Sequence, residues 1–192
     1  MARRVGTAHV LSREKRKVKS GILPTAHEVK LQESDLIVSK SDMKGRITYV
    51  NRTFMRISNY AEHEVMGKQH NVIRHPDIPR GVYRLLWQTL KAEQEFFGVV
   101  KNLTSDGHFY WVLANVTLDR NAKGEVIGYF SVRRCVAPDA VRVASDLYAE
   151  MLRIERQAGS AAAPDASLAW LQSAMAERKL SFEQFTLANC RD

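Results

Sequence analysis

Arg74, His75 and Asp77 fall within the segment NVIRHPDIPR, residues 71–80. A guanidinium, an imidazole and a carboxylate in that order offer a grip on anions, a proton carrier and a fixed negative charge. Pro76 and Pro79 interrupt the run. Each lacks an amide donor and fixes φ, so the segment cannot continue a regular helix or strand and must be a rigid bend. Four roles are open to such a bend: holding a ligand, binding a metal, carrying catalysis, or capping the next helix through a local hydrogen-bond cluster. In the last case Asp77 sits near a helix N-terminus, where the dipole favours it.

Spacing narrows the choice. His63, His70 and His75 are close in sequence but do not form an HExxH or similar ligand set, and no metal residue is expected. Cys135 and Cys190 stand far apart with no CxxC, which points to ordinary thiols. There is no GxSxG elbow, no reactive-cysteine signature, no GxGxxG and no P-loop. No catalytic residue is assigned, and the chain is expected not to be an enzyme.

Two further residues invite a ligand. Trp87 lies at the flank of an apolar helical stripe, where it serves either as core or as a stacking face for a planar group. Asn102 stands inside a β-like run that disfavours asparagine. It shares a face with Val100 and Thr104, and if that face is inward its amide needs a partner. Of Tyr110 and Trp111, which open the next strand, one must face in and the other out.

The surrounding elements follow from periodicity and turn chemistry. Leu36–Val38 and Ile47–Val50 predict a hairpin closed near Gly45. Asn51 is a suitable N-cap for RTFMRIS, and AEHEVMG predicts a second short helix ended by Gly67. Pro79 opens RGVYRLLWQTLKAEQ, whose Val82, Leu85, Leu86, Thr89 and Leu90 share one face. Three strand-like runs follow, separated by SDGH and NAKGE, and predict an antiparallel meander. A helix over 138–157 comes next, then the small-residue linker QAGSAAAPDA, then helices over 166–178 and 181–189. The order predicts an α+β domain: a five-stranded antiparallel sheet with short helices on one face and a ligand-sized cavity between them.

Composition is that of a globular chain with 45% hydrophobic and 26% charged residues. No apolar run reaches the roughly 18–20 residues of a membrane span, and the N-terminus lacks the apolar segment of a signal peptide; a cytoplasmic location is expected. Most of the +8 net charge lies in residues 1–20, with seven Lys and Arg against Glu14. That arm is either solvated or suited to an anionic surface. No specific nucleic-acid binding is expected.

Three stretches carry a family resemblance. DLIVSKSDMKGRITYVNRTFMRISNY resembles the opening of a PAS domain, and GYFSVR its last strand. GKQHNVIRHPDIPRGVYRLLWQTLKAEQEFFGVVKNLTSDGHFYWVLANV is similar to the FAD-binding sensory PAS domains of bacterial aerotaxis receptors. The likeness spans about residues 33–136. It implies a PAS fold holding FAD non-covalently, with Arg74, His75 and Asp77 at the motif needed for that binding. It further implies Trp87 near the flavin and Asn102 as the strand asparagine, with Asn51, His70 and Trp111 as further cofactor-binding candidates.

On this basis the chain divides into a basic arm (1–30), a PAS sensory domain (31–137), a linker or output helix (138–158) and a short helical tail (159–192). The expected role is a redox or oxygen sensor for energy taxis, of the stand-alone PAS type. It would relay flavin redox state to a chemotaxis-type signalling partner, membrane-bound in some versions of this reading, with a homodimer through the flanking helices as an option. A haem-binding gas sensor, with His70 or His75 as axial ligand, and a ligand-free interaction module are the alternatives. The tail residues Trp170, Leu171, Phe182 and Phe185 form either a docking surface or a fold-back contact.

Overall fold

A computed structural model describes residues 21–190. Strands β1 (Ile37–Asp42) and β2 (Ile47–Val50) form a hairpin, followed by helices α1 (Arg52–Ser58) and α2 (Glu62–Val65) and a 3-10 turn at His70–Ile73. Helix α3 (Arg80–Lys91) leads into β3 (Phe96–Leu103), β4 (Phe109–Arg120) and β5 (Val126–Arg134). Helices α4 (Pro138–Glu177) and α5 (Phe182–Asn189) complete the described chain. The five strands make one antiparallel sheet in the order β2-β1-β5-β4-β3. The α+β architecture is the one the sequence predicts.

Sheet parity decides which residues reach the helices. The face carrying Val100, Asn102, Tyr110, Val112 and Ala114 is buried beneath α1 to α3, since side chains two apart share a face. Phe54 and Ile57 of α1 close one apolar core over β1 and β2 with Ile37, Ile47 and Val50. Residues preceding β1 lie along the start of β4, where Phe109 exchanges hydrogen bonds with His27 and Val29. The expected arm over 1–30 is thus partly sheet edging; its basic residues 1–20 lie outside the described residues.

A second core forms on the far side of α3. Helix α4 breaks at Gly159, with φ 74° and ψ 165°, a conformation reserved for glycine. The chain reverses there and its two limbs pack as a hairpin against α3. Gly81 lets them close in, because a Cβ at that position would overlap Ser167 and the Leu168 amide. Met151, Leu171, Ala174 and Met175 meet Ile78, Val82 and Phe96 in this core.

One expectation changes here, and one open alternative is decided. The alanine-rich segment after Gly159 is helical rather than a linker: alanine favours helix strongly, and Pro164 is tolerated within the second limb's opening turns. Of the two readings of the tail the fold-back contact is the one present, since Leu171 is wholly buried and Trp170, Phe182 and Phe185 pack on the same core.

Candidate functional site

The bend over residues 71–80 lies along the edge of β3. Arg74 pairs with Asn102 in an isolated antiparallel bridge and its own backbone is extended, φ −73° and ψ 122°. Consecutive side chains of an extended segment point to opposite sides. Arg74 therefore enters the space between α3 and the sheet, while His75 turns away onto the Phe109 ring, centroids 5.9 Å apart.

That space is a cavity of about 260 Å3, near the lower end of the roughly 300–1,000 Å3 typical of ligand sites. Its mouth is marked by Trp87, 40% exposed, in edge contact with Tyr129 at 5.1 Å. Leu86, Leu90, Phe96, Val100, Ala114 and Val116 supply apolar walls. The polar lining is unusual. Arg74 stacks its guanidinium 3.8 Å from the Tyr83 ring centroid, and Arg133 of β5 reaches in with only 5% exposure. Lys40 also touches the lining but is paired with Asp119 at 3.1 Å, and no Asp or Glu lines the cavity among the described residues.

Arg133 is held by neutral groups. One terminal N–H donates to Ser39 Oγ at 3.1 Å and another to His70 Nε2 at 3.0 Å; Ser39 Oγ and His70 Nε2 are themselves 2.8 Å apart. Burial, reinforced by the Arg133 charge, lowers the His70 pKa to about 3, so the ring stays neutral and accepts. Burial also lowers the pKa of Arg74 and of Arg133, the expected consequence of desolvating a cation. Deeper in, the Ser131 hydroxyl is buried with no hydrogen-bond partner among the described residues, and the buried Asn102 amide nitrogen and Tyr110 hydroxyl, opposite each other across β3 and β4, have only one another. Burial raises the Tyr110 pKa well above its usual range, which keeps the phenol protonated.

Four of the eight sequence-derived candidates line this cavity: His70, Arg74, Trp87 and Asn102. The other four do not. His75 is buried beside it; its Nδ1 accepts the Asp77 amide at 3.1 Å and its Nε2 has no partner. Desolvation and the nearby Lys101 charge lower its pKa to about 4. Asp77 is exposed and paired with Lys101 at 2.8 Å, pinning the bend to β3 from outside. Asn51 caps α1, accepting from Phe54 and Val38 amides and donating to the Leu36 carbonyl. Trp111 faces the opposite side of the sheet, next to Lys101 in register, because Tyr110 takes the inward position.

Arg133, Ser39, Ser131 and Tyr83 were missed by sequence reasoning. A readable signal existed: Ser39 and Ser131 are cross-strand partners, and Ser41 continues the same small polar side of β1 along the cavity. Among the described residues, no cluster of three His, Cys, Asp or Glu is arranged to hold a metal ion, and no helix is long and apolar enough to cross a membrane.

A fold of this order, with a cavity between helices and sheet, is that of the PAS class, and residues 31–136 match the PAS fold family model. The chain belongs to the PAS family. It is 33% identical over 124 residues to the aerotaxis receptor of Escherichia coli K12, covering 65% of this chain and 24% of that one. It is 27% identical over 107 residues to the nitrogen fixation regulatory protein of Klebsiella pneumoniae, covering 56% of this chain and 22% of that one. The chain thus spans about a quarter of the length of these relatives. In fold it resembles the light-state structure of the blue-light photoreceptor Aureochrome1 LOV. The TM-score is 0.51 at 17% identity, over 59% of this chain and 90% of that one.

Proposed function

We propose that the chain is a redox sensor that holds FAD non-covalently in the α3–sheet cavity and turns over no substrate. The single observation that carries this reading is the set of buried donors on the cavity face whose hydrogen-bonding capacity is left unfilled. The Asn102 amide, the Ser131 hydroxyl and the unneutralised guanidinium of Arg133 converge on one apolar-walled space. Buried polar groups are normally paired, so their partner is expected to come with the ligand. A flavin ring offers carbonyl oxygens and ring nitrogens as acceptors, and its pyrophosphate an anion suited to Arg74. When bound, flavin would supply reversible electron uptake. The sequence likeness to an aerotaxis receptor agrees with this class of signal.

Arg74, Trp87, Asn102, Ser131 and Arg133 are the proposed contacts. His75 and Asp77 act through Arg74: their hydrogen bond and the Lys101 pair fix the bend that aims it. Haem is the weaker reading, because the imidazole in the cavity wall, His70, has its Nε2 engaged by Ser39 and Arg133. The output would pass to a chemotaxis-type signalling partner in the cytoplasm. The contact of α3 with α4 offers the route, since the Gly81 amide at the start of α3 donates to Glu155 of α4 at 3.0 Å.

Titration of FAD into the ligand-free protein tests the reading. Arg74→Ala and Asn102→Ala are each expected to weaken FAD affinity at least about tenfold, some 1.4 kcal/mol. Wild-type affinity in both variants would remove the cavity from the account.

A further inference from the structure

Arg133 is the least expected group in the molecule. It is a guanidinium of 5% exposure whose partners are a serine and a neutral histidine. A buried cation normally requires a carboxylate or another anion to offset its desolvation. The ionisable groups facing it are His70, Tyr83 and Tyr110, with Arg74 and Lys40 elsewhere on the cavity wall. None of them carries negative charge at neutral pH. The Ser39 and His70 contacts also fix the fork, leaving its remaining N–H donors without side-chain or backbone acceptors among the described residues.

We propose that Arg133, oriented by Ser39 and His70, is the residue that makes the cavity prefer its ligand in a negatively charged, reduced state. The inference rests on the flavin reading above and specifies how the site would tune it. The step balances with a quinol-class donor. Two electrons and one proton pass to the neutral ring, which gains one negative charge. The donor becomes the quinone, and its second proton goes to solvent. Arg133 supplies the matching positive charge without moving, because its cradle is already formed. Preorganised charge of this kind acts strongly in a low-dielectric site.

The test is a spectroscopic redox titration of the FAD-loaded protein at several pH values around neutrality, with dithionite as reductant. One proton per two electrons gives a midpoint potential that falls by about 30 mV per pH unit, and two protons give about 59 mV. The wild type is expected to follow the one-proton slope. Arg133→Gln is expected to move to the two-proton slope, with a potential lower by at least about 30 mV, a tenfold loss of preference for the reduced state. Arg133→Lys keeps the charge and is expected to retain the one-proton slope; it decides the matter if the Gln variant no longer holds FAD. A two-proton slope in the wild type or in Arg133→Lys overturns the inference, as does an unchanged slope and potential in flavin-loaded Arg133→Gln. A wild type that takes up no FAD overturns the proposed function itself, and this inference with it.

Discussion

The cavity and the helical core flank the same helix, α3, and treat polar groups in opposite ways. In the helical core the buried hydroxyls have partners: Tyr148 donates to the Val99 carbonyl at 2.7 Å, and Ser167 to Glu155 at 2.8 Å. The buried side-chain groups left short of partners are at the cavity or the bend beside it, on Asn102, Ser131 and His75, with Tyr110 behind the lining against Asn102. Each such group costs about 1–3 kcal/mol if nothing meets it. One region is therefore built for stability. The other gives up stability to keep donors ready, as sites poised for a ligand do.

Substitutions on the two sides should separate these roles. The largest effect is expected at Leu171→Ala, which empties a wholly buried position of the helical core. Urea denaturation should register a loss of about 3 kcal/mol, with FAD content per folded molecule unchanged. A loss below about 1 kcal/mol would mean that the α4 hairpin contributes little to the core. Arg133→Met should act with the opposite sign on the ligand-free protein and stabilise it by about 2 kcal/mol. Destabilisation there would show that the cavity is a finished part of the fold.

The pH dependence sharpens the contrast. His70 and His75 have folded-state pKa values near 3 and 4, below the ordinary histidine value of about 6.5. Between those limits the unfolded chain binds more protons, so stability is full above about pH 6.5 and is lost as pH falls. Each ring should cost about 2 kcal/mol between pH 6.5 and 5. His70→Gln should remove that share from a denaturation series, and an unchanged series would mean His70 is not buried neutral. The smallest effect is expected at Asn51→Ala, which loses an N-cap for about 1 kcal/mol while FAD affinity stays at the wild-type value. A drop in affinity would return Asn51 to the cofactor set.

What the sequence disclosed tracks this division. The fold was legible because periodicity and turn residues agree along the chain: Gly45, Gly107 and Gly124 close three hairpins in the left-handed conformation, and Ser181 with Gln184 forms the capping box that their spacing predicts. Asn102 was legible as an anomaly in a strand, and its inward direction depended on register. Arg133 was hidden by its neighbour. Arg133-Arg134 resembles the charged end of an exposed strand, yet alternation sends Arg133 inward and Arg134 out. Trp111 was misplaced for the same reason, since one residue of register exchanges it with Tyr110. The helical course beyond Gly159 was obscured because small residues suit both linkers and tight helix packing.

The most direct test of the central claim is the absorbance spectrum of the purified protein, before and after FAD is added and then reduced. The account predicts the two-banded spectrum of bound oxidised flavin, bleached by mild reductant and restored by air, together with a higher melting temperature in the loaded protein. No bound flavin after incubation, with an unchanged melting temperature, would contradict it.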